Sequence, residues 1–220
     1  MPDDVELRLT AALYKAAELL LLHGATPSEV DEAMVAGGMK MGVFEAQDLS
    51  GLDNAYHLRK NGLEERYPHL FGLAISDRMV MDGKLGKKLN VGWYRYPGGK
   101  GKVEDPIVED LVAEESWFAG IERQHFDADT IRNCLSVAII LEAHRVLETC
   151  EGQDVSRMEK ELMQLLPFCD PGHSLTPGDG SRMEFLIGIA NKWAHSDNAF
   201  WSLPTRIRSI AGSPEGGLKP

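Results

Sequence analysis

The stretch "LLLLHGATPSEVDEAM", residues 19–34, constrains this chain more than any other, because it stops one helix and starts the next within seven residues. Gly24 supplies a left-handed cap, and His23 sits at the negative end of the preceding helix dipole. Thr26 then serves as N-cap, Pro27 fits the first helical position, and Glu29 closes a capping box. Upstream, Leu9, Leu13, Ala16 and Leu20 recur at spacings of four and three between Glu6 and Leu22, the stripe of an amphipathic helix. Downstream, a second helix carries Val30, Met34 and Val35 inward and reaches Gly37-Gly38.

The same logic extends along the chain. Phe44 to Lys60 reads as a third helix that Gly51 interrupts without ending, with Phe44, Leu49, Leu52 and Tyr56 as its buried face. Asp53 and His57 sit four apart, so they can pair on its surface. Residues 61–74 are irregular, and "AISDRMVMDG" gives a short helix ending at Gly83. In "NVGWYRYPGG" the aromatics Trp93, Tyr94 and Tyr96 favour a short extended arm near residues 91–98, turned at Pro97-Gly98-Gly99. Asp105-Pro106 starts a helix that runs to about Ala119. From Asp127 to Thr149 the pattern is apolar almost all round between Leu135 and Leu141, so this helix should be central. Ser156 and Glu159 form a second capping box, with a helix to about Leu166. The loop "PFCDPGHSLTPGDG" follows, and then a helix from Ser181 to His195 with Met183, Leu186, Ile187, Ala190 and Trp193 on one face. A short helix near Thr205–Ile210 precedes a polar, Gly/Pro-rich tail. The shared order of elements, with Thr26/Glu29 answering Ser156/Glu159, points to a duplicated unit. The division is residues 1–121, residues 122–212 and a flexible tail at 213–220.

Composition closes several function classes. With 43% hydrophobic and 26% charged residues the chain is an ordinary soluble globular protein. A net charge of -11 with no long basic run argues against nucleic acid as a partner. "CLSVAIIL" is too short to span a bilayer, so no membrane insertion is expected. The acidic N-terminus lacks a signal peptide's basic region, and the tail "GGLKP" carries no peroxisomal or retention tripeptide. Cys134, Cys150 and Cys169 have no CxxC spacing and read as reduced thiols, which makes the cytosol the default compartment. No GxGxxG, no GxxxxGK[ST] and no βαβ alternation is present, so these residues should not bind a dinucleotide. "GGKGK" at residues 98–102 offers backbone N–H groups with Lys100 and Lys102 to a phosphate, although a mobile turn is the plainer reading. Cys169, Asp170, His173 and Asp179 match no closed zinc pattern, and no metal site is expected. Ser50, Asp53 and His57 make a triad only on paper, since no nucleophile elbow supports them. His195 and Asp197 are a helix cap and dipole partner. No catalytic residue emerges.

Four segments together resemble one family. "GGMKMGVFEAQDLSGLD" resembles the segment G-x-P-M-G-P-F-x-x-x-D-x-x-G-L-D of the 3-hydroxyacyl-CoA dehydrogenase C-terminal domain. "AAELLLLHGATPSEVDEAM" is similar to that family's E-A-x-x-L-L-x-E-G-A-x-P-x-D-V-D-x-A-L. "ISDRMVMDGKLGKKLNVGWYRY" is similar to I-A-D-R-L-x-x-x-G-R-x-G-Q-K-T-G-x-G-W-Y-R-Y, and "EDPIVEDLV" to the segment that follows. The match is good over residues 5–115 and weaker over 127–205, where "ILEAHRVLE" is similar to N-E-G-A-R-I-L-E. In style it is nearest the multifunctional β-oxidation proteins, which carry two such C-terminal units in tandem.

This resemblance implies an all-α fold of two tandem helical units packed as a pseudo-dimer, with the extended arm between them. Its structural motif falls on Gly38, Met41, Gly42, Phe44, Gly51, Asp53, Gly92, Trp93 and Tyr94, with Met39, Met41 and Phe44 plugging the core at a helix-to-helix corner. It implies an oxidoreductase of fatty-acid metabolism, oxidising 3-hydroxyacyl-CoA to 3-oxoacyl-CoA, of which this chain is the substrate-side and assembly part. In the family a His-Glu pair in a Rossmann domain carries the chemistry with NAD. NAD is therefore implied only through a dinucleotide-binding partner domain, on the same or another chain, with acyl-CoA as substrate and Lys100 and Lys102 as substrate-binding candidates. Turnover by these residues alone is not expected, and a non-catalytic interaction module is the alternative. Three positions and one loop depart from the pattern: Leu7 stands where the family has a substrate-positioning Asn, Val43 replaces the proline of M-G-P-F, Asn90 replaces a glycine, and the second unit's G-F-P-R-W-x-G-G-P loop is largely lost.

Overall fold

The computed structural model describes residues 4–72, 74–149, 162 and 180–211. Among these the chain is all-α apart from one two-stranded ribbon. The capping box at Ser156–Glu159, Cys150, Cys169, the loop containing Asp170, His173 and Asp179, and the tail at 213–220 lie outside the described residues. No helix of the described residues is long and apolar enough to cross a membrane.

The elements in chain order are α1 (Val5–His23), α2 (Pro27–Ala36), α3 (Val43–Ser50), α4 (Leu52–Leu58), α5 (Ala74–Met81), β1 (Tyr94–Arg95), β2 (Val103–Glu104), α6 (Pro106–Phe118), α7 (Ala128–Glu148), α8 (Gly180–Trp193), α9 (Asn198–Trp201) and α10 (Thr205–Ala211). The chain divides into two compact units, one of residues 14–132 and one of residues 1–13 with 133–220, so that α1 and α7 each run through a boundary.

In the unit of residues 14–132, the stop and start at 23–29 form as the residues dictate. Gly24 has φ +128°, and a Cβ there would lie 2.1 Å from the Gln124 carbonyl oxygen, so no larger residue fits. Thr26 and Glu29 make both hydrogen bonds of the capping box. The upstream helix is more deeply buried than a stripe requires. Besides Leu20 and Ala16, Lys15 and Glu18 are buried on α1. Lys15 donates to the Phe71 carbonyl at 2.7 Å, while Glu18 accepts from the Ile75 N–H at 2.6 Å and the Ser76 hydroxyl at 2.8 Å. A lysine and a carboxylate one turn apart thus clamp the approach to α5, with Glu18 serving as its cap.

The single helix expected over 44–60 is two. Gly51 takes φ +88°, which stops α3, and α4 restarts at Leu52. α4 then passes into a π-helical segment, Arg59–Leu63, broken at Gly62 with φ +101°. Asp53 pairs with Lys88 across the fold and not with His57, which packs edge-on against Tyr56. Leu49 and Val35, expected inside, are exposed. The inner face of α3 is Val43, Phe44, Gln47 and Asp48, so two polar side chains occupy the arc that apolar spacing alone gives to Leu49. Beyond α5 the arm is a short antiparallel ribbon pairing Tyr94 with Glu104 and Arg95 with Val103. Asp105 caps α6 through the Ile107 N–H.

In the unit of residues 1–13 and 133–220, every residue of α7 from Leu135 to Leu141 is buried, as the apolar run predicts. Glu142, 0% exposed, accepts from the Arg8 guanidinium at 2.7 Å and from Arg145 at 3.2 Å, and Arg145 also donates to the carbonyls of Phe200 and Ser202. Leu186, Ala190 and Trp193 of α8 are buried, and Trp193 stacks near-parallel with Trp201 of α9 at 6.1 Å. Asp197 caps α9 through the Phe200 N–H.

Candidate functional site

The stretch that carries the family motif folds around two buried carboxylates, neither of which sequence reasoning singled out. Asp31, on the inner face of α2, accepts from the Phe44 N–H at 2.8 Å and the Glu45 N–H at 3.1 Å. These are early N–H groups of α3, whose own N-cap is Gly42 and offers no side chain. Asp31 therefore supplies, from thirteen residues upstream, the capping side chain that Gly42 lacks. Gly42 is required by that approach, because a Cβ there would sit 2.0 Å from the Asp31 Cγ. The Tyr94 hydroxyl donates to the same carboxylate at 2.9 Å.

Asp48, near the other end of α3, does for the arm what Asp31 does for the helix. It accepts from the Trp93 N–H at 2.8 Å, the Tyr94 N–H at 2.9 Å and the Tyr96 hydroxyl at 2.9 Å. A Cβ on Gly92 would lie 1.9 Å from its Oδ1, and one on Gly86 would lie 2.4 Å from its carbonyl oxygen. Trp93 adds an indole N–H to the Gln47 side-chain oxygen at 3.1 Å and rests its ring on Phe44, centroids 4.5 Å apart. The motif over residues 37–53 and the motif over residues 84–96 are thus one object, with α3 as its hub.

Burial shifts the titration of this cluster. It lifts the Asp48 carboxyl to about 6, against the pull of its three donors and with help from nearby Asp31. The Tyr94 and Tyr96 hydroxyls are pushed far above their usual range, first by burial and then by the carboxylates they face. Elsewhere in the same unit, burial also lifts Glu18 to about 7. Every oxygen of Asp31 and Asp48 accepts a bond from within the fold. The cluster fixes the geometry of the corner.

Of the residues marked by the motif, Phe44, Gly42, Gly51, Gly92, Trp93 and Tyr94 are buried in this corner, whereas Met39 and Met41 are only half-buried. Gly38 is exposed at the end of α2 with φ +105°. Val43, where the family has proline, is fully buried at the first position of α3. Leu7 is half-buried. Lys102 turns inward, with its ammonium 3.3 Å from Asp31, 2.8 Å from Glu45 and over the Tyr94 ring at 4.5 Å. Lys100 is exposed on the turn before it. Ser50, Asp53 and His57 do not gather, since Ser50 bonds to the Gln47 carbonyl and Asp53 to Lys88. Among the described residues no three His, Cys, Asp or Glu side chains group to hold a metal.

Comparison with known proteins agrees with this geometry. Residues 5–96 match the family described as "3-hydroxyacyl-CoA dehydrogenase, C-terminal domain". This segment belongs to that family. The dehydrogenase C-terminal domain thus spans α1 to the aromatic arm, and the Asp31 and Asp48 network lies inside it. The chain is similar to the peroxisomal bifunctional enzyme of Danio rerio, 32% identical over 161 residues, covering 67% of this chain and 22% of that protein. It is 30% identical to the peroxisomal bifunctional enzyme of Homo sapiens, covering 77% and 25%. It is 25% identical over 222 residues to the fatty acid oxidation complex subunit alpha of Acinetobacter baumannii (strain SDF), covering 96% and 30%. The chain therefore spans roughly a quarter of the length of these relatives. Its fold matches the crystal structure of the dehydrogenase part of multifunctional enzyme 1 from C. elegans, with a TM-score of 0.73 at 19% identity over 96% of this chain and 48% of that one.

Proposed function

We propose that this chain is the substrate-side and assembly portion of an NAD-dependent 3-hydroxyacyl-CoA dehydrogenase of fatty-acid β-oxidation. In this role it would present one wall of the acyl-CoA cleft and hold a dinucleotide-binding domain on the same or another polypeptide. The observation that carries the reading is the intact corner of the dehydrogenase C-terminal domain, in which Asp31 and Asp48 lock α2, α3 and the Trp93–Tyr96 arm together. The hydride chemistry belongs to the dinucleotide-binding domain. We read the compartment as the cytosol, from three cysteines without CxxC spacing. A steady-state assay with acetoacetyl-CoA and NADH should show no turnover by this chain alone, and clear turnover would overturn the assignment.

A second reading, a non-catalytic interaction module on the same scaffold, is favoured by one observation. Trp117 and Phe118 at the end of α6 are 75% and 66% exposed, and Ile107 on the same helix is 62% exposed. That reading predicts that the chain binds no acyl-CoA, whereas the first predicts that it does.

A further inference from the structure

Residues 83–103 hold six Lys and Arg and no Asp or Glu, in a chain of net charge -11. The structure sorts these six cations into spent and available. Lys84 is buried against Asp105 at 2.9 Å. Lys88 pairs with Asp53, and Lys102 with Asp31 and Glu45. Arg95 leans toward Asp105 at 3.6 Å and donates to the Glu104 carbonyl. Lys87 and Lys100 are different. Both are exposed, and no carboxylate of the described residues lies within ion-pair distance of either.

These two lysines stand on neighbouring turns. The turn at 87–90 ends in Asn90, which takes the left-handed conformation with φ 60°. The turn at 97–100 follows Tyr96, whose N–H donates to the Asn90 carbonyl at 2.9 Å and stitches the two together. The Lys87 ammonium rests over the ring of Tyr96, the residue that leads into the second turn, at 5.5 Å. Gly98, Gly99 and Gly101 all have positive φ, so no Cβ shields the backbone around Lys100. Asp31 and Glu45 pair with Lys102 and leave the ammonium groups of Lys87 and Lys100 uncompensated on an otherwise acidic chain. Low local shielding and two uncompensated ammonium groups suit a phosphate dianion.

We propose that the ribbon end carrying Lys87 and Lys100 is the subsite that receives the phosphates of the CoA thioester. This rests on the substrate-side reading above and adds to it the place where the nucleotide end of the ligand is held. Lys102, which the glycine-rich run suggests equally, is excluded because its charge is already paired with Asp31 and Glu45.

The test titrates the full chain and its Lys87→Glu/Lys100→Glu form with three probes: acetoacetyl-CoA, acetoacetyl-pantetheine, which lacks the phosphates, and inorganic pyrophosphate. A Lys87→Gln/Lys100→Gln form and matched far-UV circular dichroism guard against misfolding. Two exposed charge-assisted contacts are worth enough together to weaken acetoacetyl-CoA binding by roughly tenfold. The pantetheine thioester should bind both forms alike, and the salt dependence of acetoacetyl-CoA binding should flatten in the variant. Equal acetoacetyl-CoA affinity in all three chains would overturn the subsite and leave the substrate-side reading standing. Pyrophosphate binding that needs these lysines, with neither thioester bound, would overturn CoA as the ligand and the substrate-side reading with it. Binding of none of the three probes would overturn both.

Discussion

Asp48→Ala tests how the corner is held. The substitution strands the Trp93 and Tyr94 N–H groups and the Tyr96 hydroxyl, all of them buried. Taking the low figure of about 1 kcal/mol for each stranded donor gives a loss of about 3 kcal/mol at neutral pH. The titration of Asp48 adds a signature that a simple packing defect lacks. Its carboxyl rises from 3.8 to about 6 on folding, so its contribution is fully present below the unfolded value and is lost as pH rises through 6. The wild-type chain thus gains stability relative to Asp48→Ala as pH falls, by about 1 kcal/mol between roughly pH 7.5 and 5.5. Urea unfolding at both pH values, followed by tryptophan fluorescence and by far-UV circular dichroism, measures both effects, and unchanged m-values would show that the same surface unfolds. A loss below about 1 kcal/mol, or a gap that narrows toward low pH, would refute the reasoning.

Other perturbations follow from the same contacts. Gly42→Ala drives a methyl into the Asp31 carboxylate and should cost about 3 kcal/mol or more, whereas Gly38→Ala meets nothing within 4 Å and should cost only the strain of its positive φ, about 1 kcal/mol; paired thermal melts compare them. Glu18 rises from 4.5 to about 7, so its contribution is lost as pH rises through 7. Glu18→Gln should therefore improve relative to wild type by about 1 kcal/mol between roughly pH 6 and 8, as read by urea titration, and a gap constant with pH would count against this. Arg8→Ala removes one of the guanidinium groups that face the buried Glu142 carboxylate and should lower stability by about 2–4 kcal/mol in calorimetric melts, while a cost under about 1 kcal/mol would mean that the remaining contacts of Glu142 suffice.

The parts legible in the sequence are those governed by local chemistry. Thr26 and Glu29, four consecutive positions with both capping partners present, fold as their spacing requires, and Asp105-Pro106 starts its helix. The stretch over 135–141, apolar except for Ser136, lies inside because it leaves almost no face that can meet water favourably. The errors come from contacts distant in sequence. Leu49 yields the inner face of α3 to Gln47 and Asp48 because their partners, Trp93 to Tyr96, lie more than forty residues on. Asp53 finds Lys88 for the same reason. A signal was present all the same: Asp31 sits between Val30 and Met34 on an apolar stripe, and a carboxylate there must have buried donors to meet. The family resemblance marks Gly42 and Gly92, and the structure supplies the physical cause, which is the width of a carboxylate.

The central claim is that this helical chain forms a wall of an acyl-CoA site, and calorimetric titration of the wild-type chain with acetoacetyl-CoA tests it most directly. The account predicts saturable heat with one site per chain. A featureless titration, at protein concentrations where the fold is verified by circular dichroism, would contradict it and favour the interaction module.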